Sequence, residues 1–230
     1  MNKKILIVVA HPDDEVLGVG GTAIKHVRNG DDVYCLILGK GVEARLDKKE
    51  IAENVGIDNE KKRNISSFNS GKIIGFKEMF FLDFPDNRFD SVDLIDITKE
   101  IELFVDKIQP DIIYTHYEND LNIDHRKTFE AVITACRPCN DNCPKEIYCF
   151  EVLSSTEWQL KGKKFMPNVY VDISKEIDKK IQAIEEYKEE LREWPHSRSI
   201  EGVKTLAKFR GLESGKKYAE GFYLVRCLID

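Results

Sequence analysis

The chain has 230 residues, 42% hydrophobic and 33% charged, a globular balance with enough apolar material for the core of an α/β domain. Its formal net charge of −6 and the lack of a Lys/Arg block argue against a nucleic-acid or anionic-membrane partner, both of which select a basic face. No apolar run approaches the roughly 20 residues of a membrane span. The opening run ILIVVA is short and ends in charged residues without a small-residue cleavage site, so the expectation is a cytoplasmic protein with no membrane insertion.

Taken in order, KILIVVA (4–10) reads as an apolar β-strand that runs directly into His11, Pro12, Asp13, Asp14 and Glu15. Three consecutive acids repel one another unless a cation or a solvated turn relieves them. VGGTAIKHVRNG (19–30) has helical spacing and a stop at Gly30. VYCLILG (33–39) is a second strand. Residues 48–74 read as a mostly polar helix, interrupted near Gly56 and terminated by Gly75. MFFLDF (79–84) is a third strand and FPDNRFDSVD (84–93) a loop with turn chemistry. The stretch 93–109 has apolar residues at three- and four-residue steps and ends at Pro110, as a helix would. DIIYTH (111–116) is a fourth strand and 123–137 a further helix. IYCFEVL (147–153) and NVYVDI (168–173) read as strands, 174–191 and 199–213 as polar helices, and FYLVRCLI (222–229) as the last strand.

Strands separated by helices indicate βαβ units and a mainly parallel sheet. The expectation is therefore a Rossmann-like α/β fold formed by residues 1–230 as one domain, with the segment beyond about 145 added at one sheet edge. Ligands of such sheets bind beyond the carboxyl ends of the strands, near the point where strand order switches. HPDDE lies at the carboxyl end of the first strand and THYENDLNIDHR at that of the fourth. The two clusters thus bring His11, Asp13, Asp14, His116, Asp120, Asp124 and His125 toward one crevice. Two imidazoles with one carboxylate form a common catalytic zinc set with a position left open, and a further carboxylate can serve as a base. GVGGT fails the GxGxxG spacing of a dinucleotide site; Gly18, Gly20 and Gly21 read instead as small residues that let the first helix approach the sheet. Cys136, Cys139 and Cys143, with Cys149 nearby, could share a structural metal or be ordinary thiols.

HPDDE after a first strand, combined with DLNIDHR after a fourth, resembles the PIG-L/LmbE-like family of zinc-dependent amino-sugar N-deacetylases. The resemblance extends through RNISSFNSGKIIGFKEMFFLDFPDNRFD (63–90) and EGFYLVR (220–226). It implies metal-dependent hydrolysis of the N-acetyl group of a small amino sugar or its conjugate, in one version nucleotide-linked. His11, Asp14 and His125 would hold Zn²⁺ (Fe²⁺ or Co²⁺ fit the same ligands), and Asp13 would be the general base toward a zinc-bound water. Many members carry a histidine three residues before the last ligand. Asn122 stands there, able to donate to an oxyanion but not to transfer a proton. Arg63, Asp86 and Arg88, with His116, are the implied substrate contacts, and Asp120 and Asp124 would orient the histidines from behind. His116 also reads as a satisfied core histidine, and His196 as another acid. Cleavage of a larger amide is a variant of this reading. The alternatives are a nucleotide-sugar binding protein or transferase with Mg²⁺ on Asp13 and Asp14, and a family member that binds sugar without catalysis. Homo-oligomerisation is compatible with all three.

Overall fold

Strand β1 (Lys4–Val9) is apolar from Ile5 onward because it is covered on both faces there. Ile5, Ile7 and Val9 join one core cluster while Leu6 and Val8, with Ala10 just beyond the strand, join another. This computed structural model describes residues 2–39, 55–139, 142–160 and 162–229. The elements that follow are α1 (Asp14–Arg28), β2 (Asp32–Gly39), α2 (Val55–Ile74), β3 (Glu78–Phe84), α3 (Leu94–Ile108), β4 (Ile112–His116) and α4 (Ile123–Ala135). The remainder comprises β5 (Glu146–Phe150), β6 (Val169–Asp172), α5 (Ile177–Glu185), α6 (Ile200–Ser214) and β7 (Ala219–Cys227).

One seven-stranded sheet has the order β3-β2-β1-β4-β5-β7-β6. Pairs from β3 through β5 are parallel; β7 runs antiparallel to both β5 and β6. Helices α1 and α5 supply one apolar layer and α3 and α4 the other. The expected Rossmann-like sheet with C-terminal additions at one edge is thus the observed architecture. Strand order reverses between β1 and β4, so the loops leaving these two strands flank the crevice of the switch point.

Several boundaries differ from the sequence reading for physical reasons. Helix α2 is described from Val55, so Gly56 lies in its first described turn, and residues 48–54 of the expected helix lie outside the described residues. It ends where foreseen, at Gly75, which takes φ 101° and donates to Gly71 O. Strand β7 begins at Ala219, because Ala219 to Phe222 pair with β6 although Glu220 and Gly221 lack strand-like side chains. The helix expected over 174–191 spans only Ile177–Glu185. Beyond it Tyr187 donates to Ile184 O and Glu190 to Tyr187 O, three-residue turns that carry both side chains toward the β1–α1 loop.

Helix α1 lies close against the sheet where glycine replaces a side chain. A Cβ on Gly18 would fall 2.2 Å from Phe150 Cδ2, and one on Gly21 2.9 Å from Ile173 Cδ1. Gly20 faces Val16 of its own helix and Lys180 of α5 rather than the sheet, so only two of the three glycines serve that approach. Among the described residues, no helix is long and apolar enough to cross a membrane. The cysteines of 136–143 belong to no group of possible metal ligands among the described residues; Cys143 donates to Cys136 O and receives Arg226 Nη2. Because the Phe150 ring is fully buried and cannot give way, Gly18→Ala is expected to lower stability by about 1–3 kcal/mol, the usual cost of overpacking. A urea titration would read this as an earlier midpoint at unchanged slope.

Candidate active site

The β1–α1 loop makes the site by turning sharply at Asp13, whose backbone adopts φ 100° and ψ −27°, a left-handed conformation unusual for a non-glycine residue. That turn places Asp13, Asp14 and Glu15 at the start of α1, where the helix dipole favours negative charge. All three are buried, and each meets different partners. Asp14 Oδ2 accepts the His11 amide at 2.9 Å and lies 3.3 Å from His125 Nε2 and 3.5 Å from His11 Nδ1. Glu15 accepts the strained Asp13 amide at 3.0 Å and the Tyr187 hydroxyl. Asp13 Oδ2 accepts Arg198 Nη1 at 2.9 Å. Asp13 stands at the N-cap position of α1, but its side chain makes no capping hydrogen bond.

Helix α4 delivers the second half. Its N-cap is Asn122, whose Oδ1 accepts the Asp124 amide at 2.8 Å while Nδ2 donates to Asn87 Oδ1 at 3.3 Å. His125, one turn in, stacks on His116 with ring centroids 3.8 Å apart. Each of the two site histidines has a carboxylate behind it. His11 Nε2 lies 2.9 Å from Asp124 Oδ2, and His125 Nδ1 3.2 Å from Asp120 Oδ1. Asp124 also accepts the amides of Asn87 and Phe89, and Asp120 the hydroxyls of Ser155 and Thr156. With one ring nitrogen facing that carboxylate, each histidine presents the other toward Asp14.

His11, Asp14 and His125 thus offer three buried donor atoms within 4.8 Å of one another. Asp14 Oδ1 and Asp13 Oδ1 have no hydrogen-bond partner, the kind of orphaned buried acceptor that a cation satisfies. The donor set, two imidazoles and a carboxylate, suits a catalytic transition metal. A second group, His11, Asp86 and Asp124, shares the first histidine, but each oxygen of Asp124 already accepts a backbone amide.

The electrostatics agree that positive charge is favoured here. Burial opposes charge on His11 and His125, yet Asp124 and Asp14 raise the former to about 9 and Asp14 and Asp120 the latter to about 10. Asp14 is buried too, but His125, His116 and His11 hold it well below the usual carboxylate range. Burial pushes Asp13 upward, opposed chiefly by Arg198. Burial also raises Glu15 to about 8, against the Tyr187 bond.

The remaining expected residues divide. Asp86 is buried, with Oδ1 3.2 Å from His11 Nε2. Arg63 reaches in from α2, donating to Pro12 O at 3.2 Å and lying 3.8 Å from Asp13. Arg88 is exposed on the turn after β3 and contributes no side-chain bond to this network among the described contacts. His116 is not positioned as a substrate contact: it is wholly enclosed and its Nε2 accepts the Ala10 amide at 2.9 Å. Burial and the neighbouring His125 depress its basicity. Arg198, Glu190 and Tyr187 were not expected at all. They lie in 186–198, a polar stretch without a motif, and only the fold turns them inward. Beside them Ser154, Trp158, Glu190, Arg192, His196 and Arg198 line an open cleft of about 220 Å³.

The sequence pattern of the PIG-L family, GlcNAc-PI de-N-acetylase, matches residues 6–136, more than half the chain. The chain belongs to the PIG-L family. It is similar to a diacetylchitobiose deacetylase of Thermococcus kodakarensis, 30% identical over 97% of this chain and 83% of that protein. Among solved structures it resembles the N,N′-diacetylchitobiose deacetylase of Pyrococcus horikoshii, with TM-score 0.75, 24% identity, and coverage of 97% of this chain and 84% of that one. It resembles equally the 4-carboxy-2-hydroxymuconate hydratase of Pseudomonas putida, with TM-score 0.78, 20% identity, and coverage of 99% and 98%. The fold alone therefore does not decide the reaction.

For this PIG-L member, elemental analysis of protein purified without added metal is expected to find about one transition-metal ion per chain and none in His125→Ala. Asp120→Asn, which keeps the ligand but weakens its carboxylate support, should reduce metal affinity by roughly 10–100-fold in a chelator competition.

Proposed function

We propose that the protein is a metal-dependent N-deacetylase that removes the acetyl group from a small N-acetylated amino sugar or its conjugate, working with zinc in the cytoplasm. The observation that carries this reading is the convergence of His11, Asp14 and His125 beside an Asp13 carboxylate with one unpartnered oxygen. Membership of the PIG-L family and the likeness to a diacetylchitobiose deacetylase over nearly the whole chain support it. Iron(II) and cobalt(II) accept the same donors. The magnesium-dependent binding alternative is not favoured, because magnesium selects oxygen ligands and would leave both histidines without a role.

A divalent cation held by His11, Asp14 and His125 would supply Lewis acidity, polarising the acetamide carbonyl and acidifying water. Asp13 Oδ1 then removes a proton from the attacking water, whose oxygen forms the new bond to the carbonyl carbon. Negative charge develops on the former carbonyl oxygen, and Asn122 can meet it. Its Nδ2 has two hydrogens and spends one on Asn87. Since an amide does not transfer protons, Asp13 returns the proton it took to the departing nitrogen. The C–N bond breaks, and acetate and the free amine leave. Arg63 from α2 and Asp86 beside His11, with Arg88 on the same turn as Asp86, offer the forked donors and carboxylate that suit sugar hydroxyls.

Acetate release from N-acetylglucosamine, N,N′-diacetylchitobiose and an N-acetylglucosaminyl-malate conjugate by fully metal-loaded protein tests the proposal. At least one should be hydrolysed, with activity lost on chelation and restored by zinc. Asp13→Asn should lower kcat by about 10²–10⁴-fold, the range of a lost general base, at unchanged metal content. No acetate from any of the three would sink the reading.

A further inference from the structure

Asp13, Arg198, Glu190 and Arg63 form a closed ring of alternating charge. Arg198 Nη1 lies 2.9 Å from Asp13 Oδ2 and 3.3 Å from Glu190 Oε2; Arg63 Nη2 lies 3.4 Å from Glu190 Oε1 and 3.8 Å from Asp13 Oδ2. The four residues come from four separate segments: the β1–α1 loop, α2, the turns after α5, and the segment leading into α6. The ring is almost wholly withdrawn from solvent, since side-chain exposure is 18% at Arg198 and 11% or less at the other three. The two arginines are not equivalent. Arg198 makes the hydrogen bond to Asp13, whereas Arg63 stands off and bonds the Pro12 carbonyl.

Arg198 is itself held at more than one point. Its Nε donates to Ser154 Oγ, its backbone amide donates to His196 Nδ1 at 3.1 Å, and Glu190 shares its Nη1. Ser154 has φ 70°. Among the described residues only four non-glycine positions have positive φ. Three of them, Asp13, Asn87 and Ser154, border this site; the fourth, Gln109, is the C-cap of α3. Conformations of this kind persist where surrounding contacts over-determine them, and they cluster at working sites.

Removing four charges from water contributes little net stability, because desolvation offsets most of the Coulomb attraction. What the ring does accomplish is to make the two Asp13 oxygens different. Oδ2 is tied to Arg198, and Oδ1 is buried without a partner. We infer that Arg198 is the positioning residue of the deacetylation reaction: it fixes the Asp13 carboxylate so that Oδ1 alone faces the water it deprotonates. Glu190 and Ser154 hold Arg198 in place. This inference rests on the proposed role of Asp13 as base.

The test pairs structure with kinetics in the metal-loaded protein. Crystal structures of wild type, Arg198→Ala and Arg198→Lys would report the Asp13 carboxylate directly. In Arg198→Ala it is expected to rotate or shift by about 1 Å, a displacement that can cost on the order of 10²-fold in rate. Accordingly kcat for acetate release should fall by about 10–100-fold, with KM within threefold and metal content unchanged. Arg198→Lys keeps a point charge near Asp13 but lacks the Nε–H that bonds Ser154, and should recover a large part of the loss. Added guanidinium should restore turnover to Arg198→Ala, which a merely structural loss would not allow. An Asp13 carboxylate unmoved in Arg198→Ala overturns the inference whatever the activity. A raised KM with intact kcat also overturns it, making Arg198 a substrate contact. If Asp13 moves but the wild type releases no acetate, the deacetylase reading falls and the catalytic role of Arg198 falls with it.

Discussion

Three buried carboxylates on consecutive residues impose the constraint around which this site is built. Asp13, Asp14 and Glu15 share one turn and have no bulk water to separate their charges. Asp14 is surrounded by imidazoles, Asp13 by guanidinium groups, and Glu15 by a hydroxyl and a backbone amide. Each compensation uses a different chemistry, which lets the three acids differ in character although they are neighbours in sequence. The environment assigns the roles, as it does wherever paired carboxylates perform different tasks.

Meeting that constraint accounts for much of the outer architecture. The imidazoles arrive on the loop of β1 and on α4, the two elements that the switch in strand order sets side by side. The compensation for Asp13 and Glu15 comes from later in the chain, through Tyr187, Glu190 and Arg198. These lie beyond α5, which belongs to the layer that covers α1. The close approach of α1 to the sheet at Gly18 and Gly21 seats the start of that helix, and hence the acidic turn, deep in the crevice. Glu220 reinforces this from β7: it accepts the amides of Gly21 and Thr22 and is itself paired with Lys180 of α5. The C-terminal elements are therefore part of the site as well as an edge of the sheet.

The sheet and the candidate metal-binding cluster were legible in the sequence for the same reason: their information is local. Apolar strands alternating with amphipathic helices specify a parallel sheet, and HPDDE and DLNIDHR each gather their chemistry within a few residues at the end of a strand. The structure brings His11, Asp13, Asp14 and His125 together from these two stretches. The charge ring was not legible. Arg63 and Arg198 lie far apart in the chain, and Glu190 sits in an acidic run whose pattern is that of a solvated helix. Only the turns after Glu185 redirect that run inward. The start of β7 was hidden likewise, because Glu220 and Gly221 are in the strand on account of tertiary partners rather than propensity. His116 misled in the opposite sense: a histidine at a strand end beside metal ligands resembles a working group, yet the Ala10 amide occupies the nitrogen that faces the site.

Asn122 shows how one position can serve both the fold and the chemistry. As N-cap of α4 its carbonyl satisfies the Asp124 amide, and Asp124 in turn supports His11 and ties down the Asn87–Phe89 turn. Serine, threonine, aspartate and asparagine are the side chains best suited to that cap. Of these, asparagine also offers amide hydrogens toward the crevice without adding negative charge beside Asp13 and Asp14. The histidine that many PIG-L members carry there can relay a proton; asparagine in its place leaves proton transfer to a carboxylate. Under the proposed mechanism such a division places a stricter demand on Asp13, which would accept a proton and return it from the same oxygen. A base with that double duty benefits from a fixed orientation, and the Arg198 bond on its other oxygen supplies one.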